Sequence, residues 1–226
     1  MIDHLSSYSV KNFIPFIDEV YFRLFERHFE KWWPAHPFML ALGIAIIVLA
    51  WMGKTRVLAV ALTLPLIFCA VTFHFLLYAE LTLLGKYFGW AFLLQAALLL
   101  LWGFSAKPSG KGKLSVSSLL GSAIAVFGIA VYPFLVFSEE GTLKGAQYLG
   151  MSPDPTICFV LGILLMAARP VWFLLLYPIP FLWVAATAGT LDTFNIPQAM
   201  TLPIIASIAL IGAIITALTR KFFSKD

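Results

Sequence analysis

Charged residues are scarce in this chain. Only 12% of its 226 residues are Asp, Glu, Lys or Arg, and 61% are hydrophobic. An ordinary soluble domain carries about 25% charged and about 45–50% apolar residues. The charges also cluster in short islands between long apolar runs, which excludes a soluble enzyme and a disordered tail and argues against a nucleic-acid-binding surface. The mean hydropathy is +0.94. Cysteine is equally sparse. Cys69 and Cys158 both lie in apolar runs, where thiols behave as small hydrophobes; two isolated thiols exclude a disulfide scaffold and give no metal-ligand spacing. No serine sits in a nucleophile elbow and no glycine-rich loop is built for phosphate. The chain is expected not to be an enzyme and to hold no cofactor and no metal.

What the chain has is seven apolar runs: Pro37–Met52, Val57–Ala79, Tyr87–Phe104, Leu114–Phe137, Thr156–Ala168, Val171–Thr190 and Ala199–Leu218. A span needs about 20 apolar residues, so seven use about 140 and leave no room for a separate soluble domain. The polar start, with Asp3 and His4, does not read as a signal peptide. The expected fold is all-α and integral to the membrane: a seven-helix transmembrane bundle with an N-terminal amphipathic interfacial helix. Residues 1–36 form an outer-side tail, 37–219 the membrane domain and 220–226 a basic cytoplasmic tail. Thr156–Ala168 is the shortest run, and its 13 residues reach only about 20 Å as a helix.

Loop charge sets the orientation, because Lys and Arg near span ends stay on the cytoplasmic side. Alternate loops on one side hold Lys54, Arg56, Lys107, Lys111, Lys113, Arg169, Arg220, Lys221 and Lys225, with Asp226 the single acid. The opposite side holds the other six basic residues and ten acids, so the tally is +8 against −4. This places the N-terminus outside and the C-terminus inside. In the tail, Tyr21, Phe22, Phe25, Phe29, Trp32 and Trp33 recur near helical spacing, with Glu19, Arg23, Glu26, Arg27 and Glu30 on the other face. An aromatic face with a charged back fits a helix lying in the interface plane, packed near the first span.

Three stretches resemble a family of bacterial multi-pass membrane proteins known only as a domain of unknown function: YFRLFERHFEKWWPAHP (Tyr21–Pro37), FHFLLYAELTLLGKYFGWAFLLQ (Phe73–Gln95) and GMSPDPTICFVLGILL (Gly150–Leu165). The resemblance implies a helical domain in the bacterial cytoplasmic membrane, sometimes loosely called a permease, and carries over no functional residue. Glu139-Glu140 with Lys144 is similar to the paired-glutamate motif of an intramembrane protease family. That pattern has Arg in place of the lysine and needs later histidines, whereas all four histidines here precede Glu139.

The middle of every span lacks ionisable side chains, which disfavours a proton- or sodium-coupled pump. Gln95 is the one strongly polar side chain near a midplane, suited to a hydrogen bond with a neighbouring hydroxyl or to lining a solute path. The other candidates gather toward the outer end: His74, Tyr78 and Glu80 at the end of the second span, Tyr87 at the start of the third, and Asp154 at the start of the fifth. In Ser152-Pro153-Asp154-Pro155-Thr156, Ser152 or Asp154 is placed to cap a helix starting near Thr156. Pro65, Pro178, Pro180 and Pro203 are expected to kink their spans. Gly121/Ala125, Ser118/Ser122, Gly85/Gly89 and Ala209/Ala213/Ala217 read as close-packing positions. The sequence therefore points to a permease-like protein for a small, weakly charged solute without ion coupling. The alternative is a non-catalytic accessory or assembly subunit of a larger membrane complex. Its expected partners are the lipid bilayer and another membrane protein or a second copy.

Overall fold

The structure, a computed structural model, describes residues 14–106, 114–135 and 145–223; within them every regular element is a helix. We number them α1 (Asp18–Trp32), α2 (Ala35–Trp51), α3 (Thr55–Leu81), α4 (Leu84–Ser105), α5 (Val116–Leu135), α6 (Pro153–Ala167), α7 (Pro178–Thr193, preceded by a helical segment Pro170–Leu176) and α8 (Thr201–Phe223). The lysines of Lys107–Lys113, together with Glu139, Glu140 and Lys144, lie outside the described residues. Helices α3, α4, α5 and α8 are each long and apolar enough to cross a membrane. Two bent pairs, α1 with α2 at 93° and Pro170–Leu176 with α7 at 48°, raise the number of candidate spans to six, and α6 is a shorter apolar helix. The chain is thus a helical membrane protein.

The helix α1 forms because its apolar residues fall on one face and its charges suit its ends. Tyr21, Leu24, Phe25 and His28 are buried, Asp18 and Glu19 sit in the first turn and Lys31 in the last, where each opposes the helix dipole. Trp33, expected on the same apolar face, is exposed because the helix ends at Trp32. Pro34, which has no N–H to continue the helix, stands at the 93° bend. The bend carries α1 onto α3 rather than along the first span. Phe25 stacks on Phe73 at 5.1 Å, the His28 ring lies 6.1 Å from Phe73, and Arg27 meets Glu80 at 3.5 Å on the exposed side.

Two helices depart from regular α geometry. In α3, Ala70–Tyr78 is π-helical, and in α5, Phe127–Val131 is too. In α3 the Thr72 hydroxyl donates to the Phe68 carbonyl at 2.7 Å, competing for an acceptor of the regular ladder. In α5 the loosened turn directly precedes Tyr132-Pro133. Proline cannot donate, and its ring crowds the carbonyl four residues back, so the Tyr132 N–H reaches the Phe127 carbonyl instead.

The core of the bundle is α6. Every residue from Pro153 to Leu165 is buried, and a helix that is apolar all round belongs inside other helices. Its approach to α5 is backbone on backbone. A Cβ on Gly162 would fall 2.6 Å from the Gly121 carbonyl oxygen and 2.6 Å from the Ala125 nitrogen; one on Gly121 would fall 2.5 Å from the Gly162 oxygen. The packing reading of Gly121/Ala125 therefore holds at this crossing. The expected cap of α6 is absent. The helix starts at Pro153, and Ser152, its N-cap residue, makes no side-chain cap bond. With Pro153 and Pro155 in the first turn there is little N–H to cap, and Ser152 Oγ instead accepts from the Tyr148 N–H at 3.2 Å.

Replacing Gly162 by Val should force α5 and α6 apart, lowering the thermal midpoint of the detergent-solubilised protein by several degrees or abolishing a folded species. Gly145→Ala, whose Cβ would meet nothing within 4 Å, should leave the midpoint unchanged. Equal midpoints for the two variants would refute the close crossing.

Candidate functional site

The six sequence-derived candidates separate into two groups. Glu80 and Tyr87 are exposed, Glu80 in its ion pair with Arg27 and Tyr87 at 63% exposure. His74, Tyr78, Gln95 and Asp154 are buried, His74 and Gln95 completely. Three of these, Asp154, His74 and Tyr78, gather around one side chain that the sequence did not single out, Trp183.

Asp154 lies at the second position of α6, inside the bundle. Its Oδ2 accepts from the Tyr132 hydroxyl of α5 at 2.9 Å and from the Thr187 hydroxyl of α7 at 3.1 Å. Its Oδ1 accepts from the indole N–H of Trp183, also on α7, at 2.7 Å. Trp183 and Thr187 are one helical turn apart, so a single face of α7 presents both donors. From α1, Tyr21 reaches the same place, interacting with Thr187 and lying close enough to feel the carboxylate. Tyr78 of α3 does likewise beside Thr190. The groups acting on Asp154 are neutral donors, and no Lys or Arg among the described residues is one of them. A buried carboxylate usually has a cationic partner; this one is held by three neutral donors.

His74 sits in the π-helical part of α3, enclosed by rings. It lies 4.5 Å from Phe92 and 5.1 Å from Trp183, both edge to face, with Phe73, Tyr78 and Phe88 around it. Neither of its ring nitrogens has a hydrogen-bond partner. Trp183 therefore touches His74 with its ring and Asp154 with its N–H.

Gln95 stands one turn along α4 from Phe92, and its role is local. Its Nε2 donates to the Leu176 carbonyl at 3.1 Å. That carbonyl would ordinarily serve the N–H of residue 180, but Pro180 has none. Gln95 thus satisfies the acceptor freed at the 48° break, in place of the hydroxyl expected from sequence. Elsewhere, a groove of about 460 Å³ between α5 and α8 is lined largely by apolar groups such as Leu120, Ile208, Ile211 and Ile215. No group of three or more His, Cys, Asp or Glu among the described residues is placed to hold a metal.

The helix α1 covers the Asp154 cluster, and His28 fastens it. Because Thr72 donates its hydroxyl proton to Phe68, its oxygen accepts from His28 Nε2–H at 2.9 Å, which fixes the neutral tautomer. Burial, reinforced by the positive charge of His36 and Lys31, pulls the His28 pKa from 6.5 down to about 4.

Long helices that leave α geometry where they meet a buried polar cluster define a class: a polytopic helical membrane protein with an internal polar site. Within that class the chain belongs to the family of unknown function DUF6064, whose model matches residues 18–224. No curated protein and no solved structure matches the chain.

Because the docked form of α1 favours neutral His28, docking is strongest above about pH 6.5 and weakens as the pH falls toward 4. The loss over that window is roughly 3 kcal/mol. Hydrogen–deuterium exchange of the α1 amides, corrected for the intrinsic pH dependence, should show protection falling between about pH 7 and about pH 4.5. His28→Phe should flatten the profile. Unchanged protection in the native protein would show that His28 does not control docking.

Proposed function

We propose that this protein is a permease-like carrier for a small, weakly charged solute in the cytoplasmic membrane of a bacterium, with the Asp154 cluster as its working site. One observation carries the reading. Irregular helix geometry converges on a single buried polar centre: the π-turns of α3 and α5 contain or directly precede His74 and Tyr132, and α7, broken at Tyr177–Pro178, supplies Trp183 and Thr187. Irregular backbone at membrane depth is tolerated where it is enclosed by protein or lines a cavity, and carriers place their sites at such breaks. Ion coupling is disfavoured on sequence because the spans show no carboxylate at their middles. Asp154 is buried inside the bundle, and the proposal does not keep that restriction.

We further propose seven crossings, α2 to α8, with α6 enclosed by its neighbours and α1 lying in the outer interface plane. The N-terminus is then outside and the C-terminus inside. Both native thiols are buried, so single added cysteines give a clean readout. In intact cells Lys111→Cys should be shielded from an impermeant thiol reagent and Lys144→Cys should label. The reverse pattern would invert the orientation.

The carrier reading is tested with purified protein in sealed liposomes. One class of small solute should show protein-dependent flux, and Asp154→Asn should lower it at least tenfold, while Leu174→Ala on the exposed surface should not. No flux for any small-solute class, together with a stoichiometric membrane partner on gentle extraction, would replace this reading with the accessory-subunit one.

A further inference from the structure

We propose that Asp154 is a buried proton-binding site, with its Oδ2 as the atom that takes the proton. This deepens the carrier reading, on which its functional meaning rests, by naming what the polar cluster holds. The buried charge at this centre is unbalanced. Asp154 is 2% exposed and accepts three hydrogen bonds, yet none comes from a cation. Next to it, across the Trp183 ring, stands a fully buried imidazole with two unused nitrogens. What the carboxylate lacks is a positive charge beside it, which a single proton supplies.

The donors decide where the proton rests. The indole N–H on Oδ1 can only donate, so Oδ1 remains an acceptor. Tyr132 and Thr187, both on Oδ2, carry hydroxyls that can rotate to accept instead. An incoming proton bonds to Oδ2, the carboxylate becomes a neutral carboxylic acid, and its new O–H donates to whichever hydroxyl turns. His74 offers no second holder: an imidazolium there would carry two N–H groups without an acceptor, enclosed by the rings of Phe92 and Trp183. The remaining titratable groups facing Asp154 are Tyr21 from α1, Cys69 and Tyr78 from α3, Tyr132 from α5 and Cys158 from α6. These are phenols and thiols, neutral near pH 7.

The test is infrared difference spectroscopy on the full chain in phosphatidylcholine vesicles, with no solute present. The pH is stepped from about 8.5 to about 6, above the ordinary range of surface carboxylates. The native protein should gain a buried carboxyl band that is absent from Asp154→Asn and kept in His74→Asn. An imidazolium band absent from His74→Asn, with no carboxyl band, would place the proton on the imidazole and overturn the assignment. Trp183→Phe keeps the carboxylate but removes one donor, and should move the transition up by about one to two pH units. Native and Asp154→Asn spectra that coincide across the step would overturn the proposal. So would a transition that sodium, but not choline, displaces, which would mark a cation site. Because no solute is used, failure here leaves the flux test standing, and an absence of flux leaves this one standing.

Discussion

The hydrogen bonds on Asp154 set the arrangement of the bundle. A carboxylate taken out of water without partners is costly, and the cost falls only if every oxygen meets well-aimed donors. Here the donors come from Tyr132 on α5 and from Trp183 and Thr187 on α7, while the acceptor belongs to α6. Three helices must therefore hold fixed rotations about their axes, since turning any one by a fraction of a turn removes a donor. Apolar packing alone would not impose this, because in a bilayer a leucine contacting lipid and a leucine contacting protein differ little. The polar cluster supplies the specificity that the apolar surfaces lack.

The irregular helices follow from the same scarcity of water. Each freed carbonyl inside the bundle has to find another donor. The Leu176 carbonyl, left open by Pro180, is met by Gln95 from α4. The segment before α6 is buried without being helical, and several of its N–H groups are satisfied locally: the Gly150 N–H donates to Thr156 Oγ1 at 2.8 Å, and the Met151 and Ser152 N–H groups return to the Tyr148 carbonyl. Gly150 takes a φ of 73°, which few other residues adopt at low cost, and this lets the segment fold back on itself. Proline and glycine thus create departures from the helix, and side chains from distant positions close them.

Periodicity and apolar runs made the helices legible. Within the described residues each of the seven runs overlaps one of α2 to α8 or the segment leading into α7, and the buried face of α1 includes Tyr21 and Phe25 as their spacing indicates. The centre of the bundle was not legible. Thr156–Ala168 reads as the weakest run, yet it belongs to the most enclosed helix, because hydropathy does not distinguish a lipid environment from a protein one. Asp154 reads as an outer cap for a related reason: its partners lie 22, 29 and 33 residues away, a range no local pattern reports. One signal was present. Trp183, Thr187 and Thr190 share a face of α7, an unusual stripe of donors on an otherwise apolar helix. His74 and Gln95 were found because buried polar side chains are rare in such runs, but their opposite states, one unpartnered and one bonded to a carbonyl, depend on tertiary contacts.

The shortness of α6 and the burial of Asp154 are one fact. At 15 residues the helix is about 22 Å long, while a hydrocarbon core is about 30 Å thick. A helix of full length would place its first turn, and any acid in it, at the rim beside water. The helix instead begins directly after the folded-back, buried segment of residues 146–152, so that Asp154 in its first turn meets Tyr132 and Trp183 instead of solvent. Pro153 and Pro155 favour this early start, since they cannot extend the ladder upstream and leave few N–H groups there to satisfy. Without that early start the donors on α5 and α7 would have no buried carboxylate to meet.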